Sequence, residues 1–161
     1  MAERVIIAGT RTYKDRKMVY QILDKLFPKG SDVEVLSGLA KGPDYFGWDW
    51  AEKRGHERKA FRADWKNLDV PGAKIKDGEY GKYNAKAGIM RNEKMGDYCA
   101  EGDSEGKLVL FWDGKSGGTK HMLEYAIKLG IKPKIFLVEC DDYDSVSSEL
   151  QKEYQVNVRG L

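Results

Sequence analysis

The chain is poor in the residues that would announce a metal or disulfide scaffold. Cys99 and Cys140 are its only two cysteines in 161 residues, and neither has metal-type spacing. Both are therefore read as buried thiols. Long apolar runs are also missing: no signal-peptide pattern and no membrane-length span is present, so a reducing cytoplasm is the expected compartment and no membrane contact is expected. An excess of one charge is lacking as well. Lys and Arg total 28 against 26 Asp and Glu, and a net charge of +2 exerts no general pull on nucleic acid, so any basic patch must be local. The common catalytic signatures are absent too. No glycine loop is followed by Gly-Lys-Ser or Gly-Lys-Thr, and none reads G-x-G-x-x-G, so kinase, GTPase and nicotinamide dehydrogenase readings lose their main support. G-x-S-x-G is missing, and His56 and His121 have no evident role as the base of a hydrolase.

What is present alternates strand with helix over a length suited to one domain, 1–161. Arg4 to Gly9 reads as a strand buried on both faces, because Val5, Ile6, Ile7 and Ala8 are apolar without alternation. Asp15 caps a helix in which Val19, Ile22, Leu23 and Leu26 fall at i, i+3, i+4, i+7, and Pro28 and Gly30 end it. Val33, Val35 and Leu36 form a second strand, then a glycine loop leads to a helix over Tyr45 to Arg54. Pro43 suits the first helical turn, and Asp44 is read first as a cap and second as an acceptor for a ligand hydroxyl. Glu57 to Phe61 is a weak strand. No periodicity survives from Lys66 to Lys86, which reads as a long polar loop and partly ordered lid, with disorder the alternative. A helix follows from about Ala85 to Ala100, with Arg91, Met95 and Tyr98 on one face. An arginine on that inward stripe needs an anionic partner, either a ligand or an acidic side chain.

The centre of the pattern is Leu108 to Leu129. Leu108 to Phe111 have the length and apolarity of a strand, Trp112 to Thr119 supply a glycine loop, and Met122, Ala126 and Leu129 recur at helical spacing. The N–H groups of Gly117, Gly118 and Thr119 are therefore expected at a helix N-terminus, where unpaired donors and partial positive charge attract phosphate. Ile135 to Val138 reads as a further strand. The carboxylates at Glu139, Asp141, Asp142 and Asp144 read as a solvated loop rather than a cation site, with Asp144 or Ser145 capping a short helix through Lys152. Val156 and Val158 suggest an edge strand.

This alternation predicts an α/β fold with a mostly parallel central sheet and helices on both faces. In such sheets ligands bind beyond the carboxyl ends of the strands. The loops leaving those ends carry Gly9, Thr10 and Arg11; Ser37, Gly38, Lys41, Gly42 and Asp44; Asp64 and Trp65; and Asp113, Gly114, Lys115, Ser116, Gly117, Gly118 and Thr119. With Arg91 and Asn92 these are the candidate ligand- and phosphate-binding residues. No catalytic residue, metal ligand or resident cofactor is assigned.

Gly9-Thr10-Arg11, Ser37-Gly38-Leu39-Ala40-Lys41-Gly42-Pro43-Asp44, Ala63-Asp64-Trp65, Ala87-Gly88 with Arg91-Asn92 and Met95, and Gly114 with Gly118-Thr119 occur in an order that resembles the YspA-related SLOG family. That family is similar to the DprA and LOG proteins. The resemblance implies a Rossmann-like fold, binding of a nucleotide or nucleotide-derived small molecule as sensor or sequestering protein, and a homodimer or homotetramer. Pro43 stands where the family usually has alanine, and the segment 66–86 is longer than its usual counterpart.

Two rival activities follow from the same resemblance. One is the N-glycosidic cleavage of nucleoside monophosphates by LOG phosphoribohydrolases, whose loop reads G-G-x-G-T-x-x-E. Here the position three after Thr119 is Met122. Glu124 lies two residues further on, turned roughly 200° around a helix, so it should point elsewhere. The other is DprA-like binding of single-stranded nucleic acid, for which Trp48, Trp50, Trp65, Tyr80, Tyr83 and nearby lysines supply some aromatic and basic interleaving. The balanced net charge makes nucleic acid the less favoured partner.

Overall fold

The apolar run from Val5 to Ala8 becomes the inner part of strand β1 (Glu3–Gly9), and all four side chains are buried. A strand covered on both faces needs no polar alternation. The computed structural model describes residues 2–161. After β1 come α1 (Arg16–Leu26), β2 (Val33–Ser37), α2 (Pro43–Lys53), β3 (Glu57–Ala60), β4 (Ile75–Gly78), β5 (Gly81–Asn84), α3 (Ala87–Ala100), β6 (Lys107–Trp112), α4 (Gly117–Lys128), β7 (Lys132–Leu137), α5 (Tyr143–Tyr154) and β8 (Asn157–Gly160). Six of the strands form one sheet in the order β3-β2-β1-β6-β7-β8, with every neighbouring pair parallel. The α/β class with a parallel sheet expected from the alternation is found, and it has the Rossmann-like form that the resemblance implies.

Successive side chains of a strand point to opposite faces, and that period divides the core in two. Val5, Ile7, Val35, Val109 and Phe111 pack with Val19, Leu23 and Trp50 of α1 and α2. Ile6, Ala8, Leu36, Leu108, Leu110 and Trp112 pack with Met95, Met122, Leu123 and Leu150 of α3, α4 and α5. Each fully buried large apolar side chain contributes about 1.5–3 kcal/mol. Asp15 caps α1 as its position suggests, its Oδ1 accepting the Met18 N–H at 3.1 Å.

Several local expectations are corrected. The segment 66–86 is not structureless, because β4 and β5 form an antiparallel hairpin within it. The hairpin buries little apolar surface, so it leaves no periodic signal. It is held instead by polar contacts: the buried Asn84 accepts the N–H groups of Lys74 and Lys86 at 3.1 and 3.0 Å, and Lys66 Nζ donates to the Tyr80 carbonyl at 2.8 Å. Helix α2 begins at Pro43, so Asp44 lies inside the first turn and Gly42 takes the N-cap position. The N-cap of α5 is Asp142, with Asp144 in its first turn. Strand β7 begins at Lys132, ahead of the apolar run at Ile135, because it pairs with β6 from Lys107 onward; its first half, exposed lysines around Pro133, carries no apolar signal. Cys140, expected to be buried, is only half-buried, and both thiols are free. Among the described residues no helix is long and apolar enough to cross a membrane, and no group of three His, Cys, Asp or Glu is placed to hold a metal ion.

Candidate functional site

The sheet is filled outward from β1 through β2 to β3, after which the chain returns to the other side of β1 as β6. The order reverses there, so the crevice beyond the carboxyl ends of β1 and β6 is the natural ligand position. The loops leaving those two strands are joined directly. Thr10 N–H donates to the Phe111 carbonyl at 2.8 Å, and the Asp113 N–H donates to Thr10 Oγ1 at 2.9 Å. Asp113 Oδ1 then accepts from Lys115 N and Ser116 N, both at 2.8 Å, and from Ser116 Oγ at 3.0 Å. Burial raises the Asp113 pKa, but those donors outweigh it and hold the carboxyl below its ordinary value.

That turn fixes where α4 begins. Its N-cap, Ser116, makes no side-chain cap bond, and among the described residues the N–H groups of Gly117, Gly118 and Thr119 have no protein acceptor. Gly118 and Thr119 open onto a cavity of about 480 Å³. Its wall also includes Arg11 and Thr12 from the β1 loop, Asp44 from α2, and Arg91 and Asn92 from α3, with Trp65 and Met122. The volume lies within the range of small-ligand sites, roughly 300–1,000 Å³.

The polar side chains of this wall hold one another in place. Asp44 is buried, with Oδ1 accepting the Gly9 N–H at 3.2 Å. Burial pushes its pKa up to about 6, against the opposing pull of the Arg91 charge, the Gly9 N–H and the Arg11 charge. Arg91 is half-buried and donates from Nη1 to the Gly38 carbonyl at 2.7 Å and from Nε to Asn92 Oδ1 at 3.0 Å. Burial lowers the Arg91 pKa, Asp44 raises it and Arg11 lowers it. The anionic partner expected of this arginine is therefore no contact ion pair among the described residues but the field of Asp44 across Gly38. A Cβ on Gly38 would lie 2.7 Å from Arg91 Cζ and 3.0 Å from Asp44 Oδ2, so only glycine lets both charged groups approach. Asn92 continues the chain of contacts, donating from Nδ2 to the Gly118 carbonyl at 3.2 Å with His121 Nδ1 at 3.3 Å.

Trp65 forms the rim. It is 39% exposed, and its ring lies beside the first turn of α3, where a Cβ on Gly88 would be 3.3 Å from Cη2. Its carbonyl accepts the Asn84 N–H at 2.6 Å, which ties the rim to the hairpin. A second basin, of about 580 Å³, shares Arg11, Ala40, Trp65 and Arg91 with the first and adds Gly38, Leu39, Lys41, Arg62 and Ala63.

Comparison with known proteins identifies the family and the fold. Residues 3–68 match the YspA, cpYpsA-related SLOG family. Gene 61 protein of Mycobacterium phage D29 is 32% identical over 140 residues, covering 80% of this chain and 91% of that protein. The chain belongs to this SLOG family. The X-ray structure of DNA processing protein A (DprA) from Streptococcus pneumoniae superposes with a TM-score of 0.68 at 17% identity, over 98% of this chain. The chain spans 58% of the length of the DprA chain, and the likeness is one of fold.

The candidate residues of this SLOG chain do not all reach the cavity. Gly9, Thr10, Arg11, Asp44, Trp65, Arg91, Asn92, Asp113, Ser116, Gly118 and Thr119 line it. Gly38 and Lys41 line the second basin only. Ser37 lies behind the wall, fully buried, donating to the Asp44 carbonyl at 2.8 Å and accepting from Leu39 N at 3.1 Å. Gly42 makes the turn into α2 at φ +84°, and Gly114 makes its turn at φ +79° against Val146. Asp64 faces a cleft of about 60 Å³ on the other side of the rim, while Lys115 and Gly117 are exposed outside the cavity wall. Asp44 is no cap but a buried carboxyl.

Thr12, Ile89 and Met122 in the cavity wall and Arg62 in the basin are site residues beyond those the sequence motifs single out. Met122 follows Thr119 by three residues, so one helical turn brings it to the same side; the others carry no local signal. Glu124 points elsewhere as expected, its Oε2 accepting the Tyr154 hydroxyl at 3.2 Å. Of the aromatic residues considered for nucleic-acid stacking, Trp50 is fully buried and donates to Asp24 at 2.9 Å.

Proposed function

We propose that this chain binds a nucleotide or nucleotide-derived small molecule at the carboxyl ends of β1 and β6, as a sensor or a sequestering protein. The observation that carries the reading is the uncapped start of α4. Gly118 and Thr119 present unpaired N–H donors to a cavity whose wall also holds Arg11 and Arg91. Donors at a helix start, aided by the helix dipole, bind phosphate without further machinery. Arg91 is oriented by Gly38 and Asn92, so little side-chain freedom is lost on binding. Trp65, flat and partly exposed at the rim, is suited to stack on a base.

Glycosidic cleavage is the weaker reading. It needs a carboxyl group for acid, base or nucleophilic work. The two carboxyls in the cavity wall are both engaged: Asp113 collects three donors from its own loop, and Asp44 holds the Gly9 N–H. Met122 occupies the wall in place of a glutamate. The direct test of the binding reading is to denature the purified protein and identify the released small molecules by mass spectrometry. A stoichiometric nucleotide supports it. Purified protein that releases none and also fails to take up nucleoside monophosphates in calorimetric titration counts against it.

A further inference from the structure

The second basin has a composition the first does not explain. Its wall carries Arg11, Lys41, Arg62 and Arg91, and no carboxylate. Elsewhere on the molecule Arg4, Arg16, Arg54 and Arg58 each hold an acidic side chain. Arg11, Lys41 and Arg62 make no ion pair and no side-chain hydrogen bond among the described residues. Asp44, behind the wall, offsets part of the charge of Arg91 and Arg11, but Lys41 and Arg62 bring two more cations to the same concavity, an arrangement that favours an anion between them. The Arg91 guanidinium already spends Nη1 and Nε on Gly38 and Asn92. The donors left free in this basin are those of Arg11, Lys41 and Arg62, together with Nη2 of Arg91, which has no partner among the described residues.

The two concavities are joined. Arg11, Ala40, Trp65 and Arg91 line both, whereas Gly118 and Thr119 line only the first and Lys41 and Arg62 only the second. Each is large enough for one nucleotide unit on the usual scale of ligand sites, roughly 300–1,000 Å³. A molecule lying across the shared wall meets the N-terminus of α4 at one end, the Trp65 ring between, and free guanidinium and ammonium groups at the other.

We propose that the ligand carries two separated phosphate groups, as a 5′-phosphorylated dinucleotide does, with one phosphate at Gly118 and Thr119 and the second in the basin of Arg11, Lys41 and Arg62. This rests on the nucleotide-binding reading and narrows it to a ligand class. A mononucleotide satisfies the first concavity and leaves the basin uncompensated. Arginine suits the second position because its planar fork matches two phosphate oxygens.

The experiment is calorimetric titration with adenosine and guanosine monophosphates and with the corresponding 5′-phosphorylated dinucleotides, on the wild-type chain and on Arg62→Gln. Arg62 is exposed and has no place in the first concavity, so the variant keeps the fold and mononucleotide binding. The expected result is that a dinucleotide binds at least about tenfold more tightly than its mononucleotide, the scale of one added charge-assisted contact. Arg62→Gln should remove most of that gain. Equal affinities for the two compounds, a gain indifferent to Arg62→Gln, or an equal loss for both compounds overturns the second subsite and leaves the first reading standing. Failure of the wild-type chain to bind any of the four compounds overturns both. A 5′-phosphorylated oligonucleotide that binds more tightly still overturns the small-molecule occupant in favour of a strand.

Discussion

Replacing Asp44 by asparagine removes the one carboxyl that, among the described residues, is both buried and part of the cavity wall. Its pKa of about 6, against an ordinary 3.8, means that the folded chain binds this proton more tightly than the unfolded chain does. Below pH 3.8 the group is neutral in both states and costs nothing. Between that value and about 6 the folded state keeps a proton that the unfolded state releases, so stability falls as pH rises. Above about 6 the carboxylate is ionised in both states and the fold carries the full cost. At roughly 1.4 kcal/mol per pH unit the whole window is worth about 3 kcal/mol, of which about 2 kcal/mol falls between about pH 4.5 and about pH 7.5. An asparagine at this position would not titrate, and its side-chain oxygen can still accept the Gly9 N–H. Urea unfolding of wild type and Asp44→Asn at those two pH values isolates the effect. Asp24, Asp49 and Asp113, whose pKa values are lowered and whose contributions are lost as pH falls, are common to both proteins and cancel. The stability of the variant relative to wild type should rise by about 2 kcal/mol from the lower pH to the higher. A difference that does not change with pH, or that shrinks, would refute the assignment of a buried, proton-retaining Asp44.

Three further outcomes are expected. Arg91→Ala should weaken nucleotide binding at least tenfold in calorimetry while lowering apo stability by only about 1.5–3 kcal/mol, the scale of a hydrogen bond from a charged group; intact affinity would make Arg91 purely structural. Gly38→Ala should displace the Arg91 guanidinium, which a Cβ would meet, and reduce binding in the same assay with α2 and the sheet intact by circular dichroism; unchanged binding would show that Arg91 need not sit where it does. Incubation with adenosine and guanosine monophosphates should release no free base by chromatography, and turnover that disappears in Asp44→Asn would make Asp44 an acid catalyst instead.

Much of the fold was legible because its signals are local. Val5 to Ala8 and Leu108 to Phe111 are uninterrupted apolar runs of strand length, and Val19, Ile22 and Leu23 recur at helical spacing beside a capping Asp15. The glycine loop before α4 was legible for the same reason. The hairpin of β4 and β5 was not, because its strands face solvent and its order comes from Asn84 and Lys66 contacting backbone groups distant in sequence. The site divided along the same line. Thr10 and Arg11 follow β1 directly and Gly118 opens the helix after β6, so chain direction takes them to the crevice. The partner of Arg91 is the carbonyl of Gly38, which lies 53 positions away and has no side chain to betray it. Asp44 resembled a cap by position, and only packing of α2 against β1 shows that it is enclosed. Arg62 stands in a stretch without periodicity, and its meaning depends on Lys41 and Arg11 being brought beside it.

Calorimetric titration of Gly118→Asp with the nucleotide released from the wild-type protein tests the central claim most directly. Nothing lies within 4 Å of a Cβ built on Gly118, and its φ is not in the left-handed region, so the side chain fits and the fold is retained. The added carboxylate would stand beside the donors that face the anion. The account predicts loss of binding by at least about tenfold, one unfavourable charge contact being worth about 1.4 kcal/mol or more, with the melting temperature of the apo protein little changed. Wild-type affinity in a folded Gly118→Asp chain would contradict it and place the anion elsewhere.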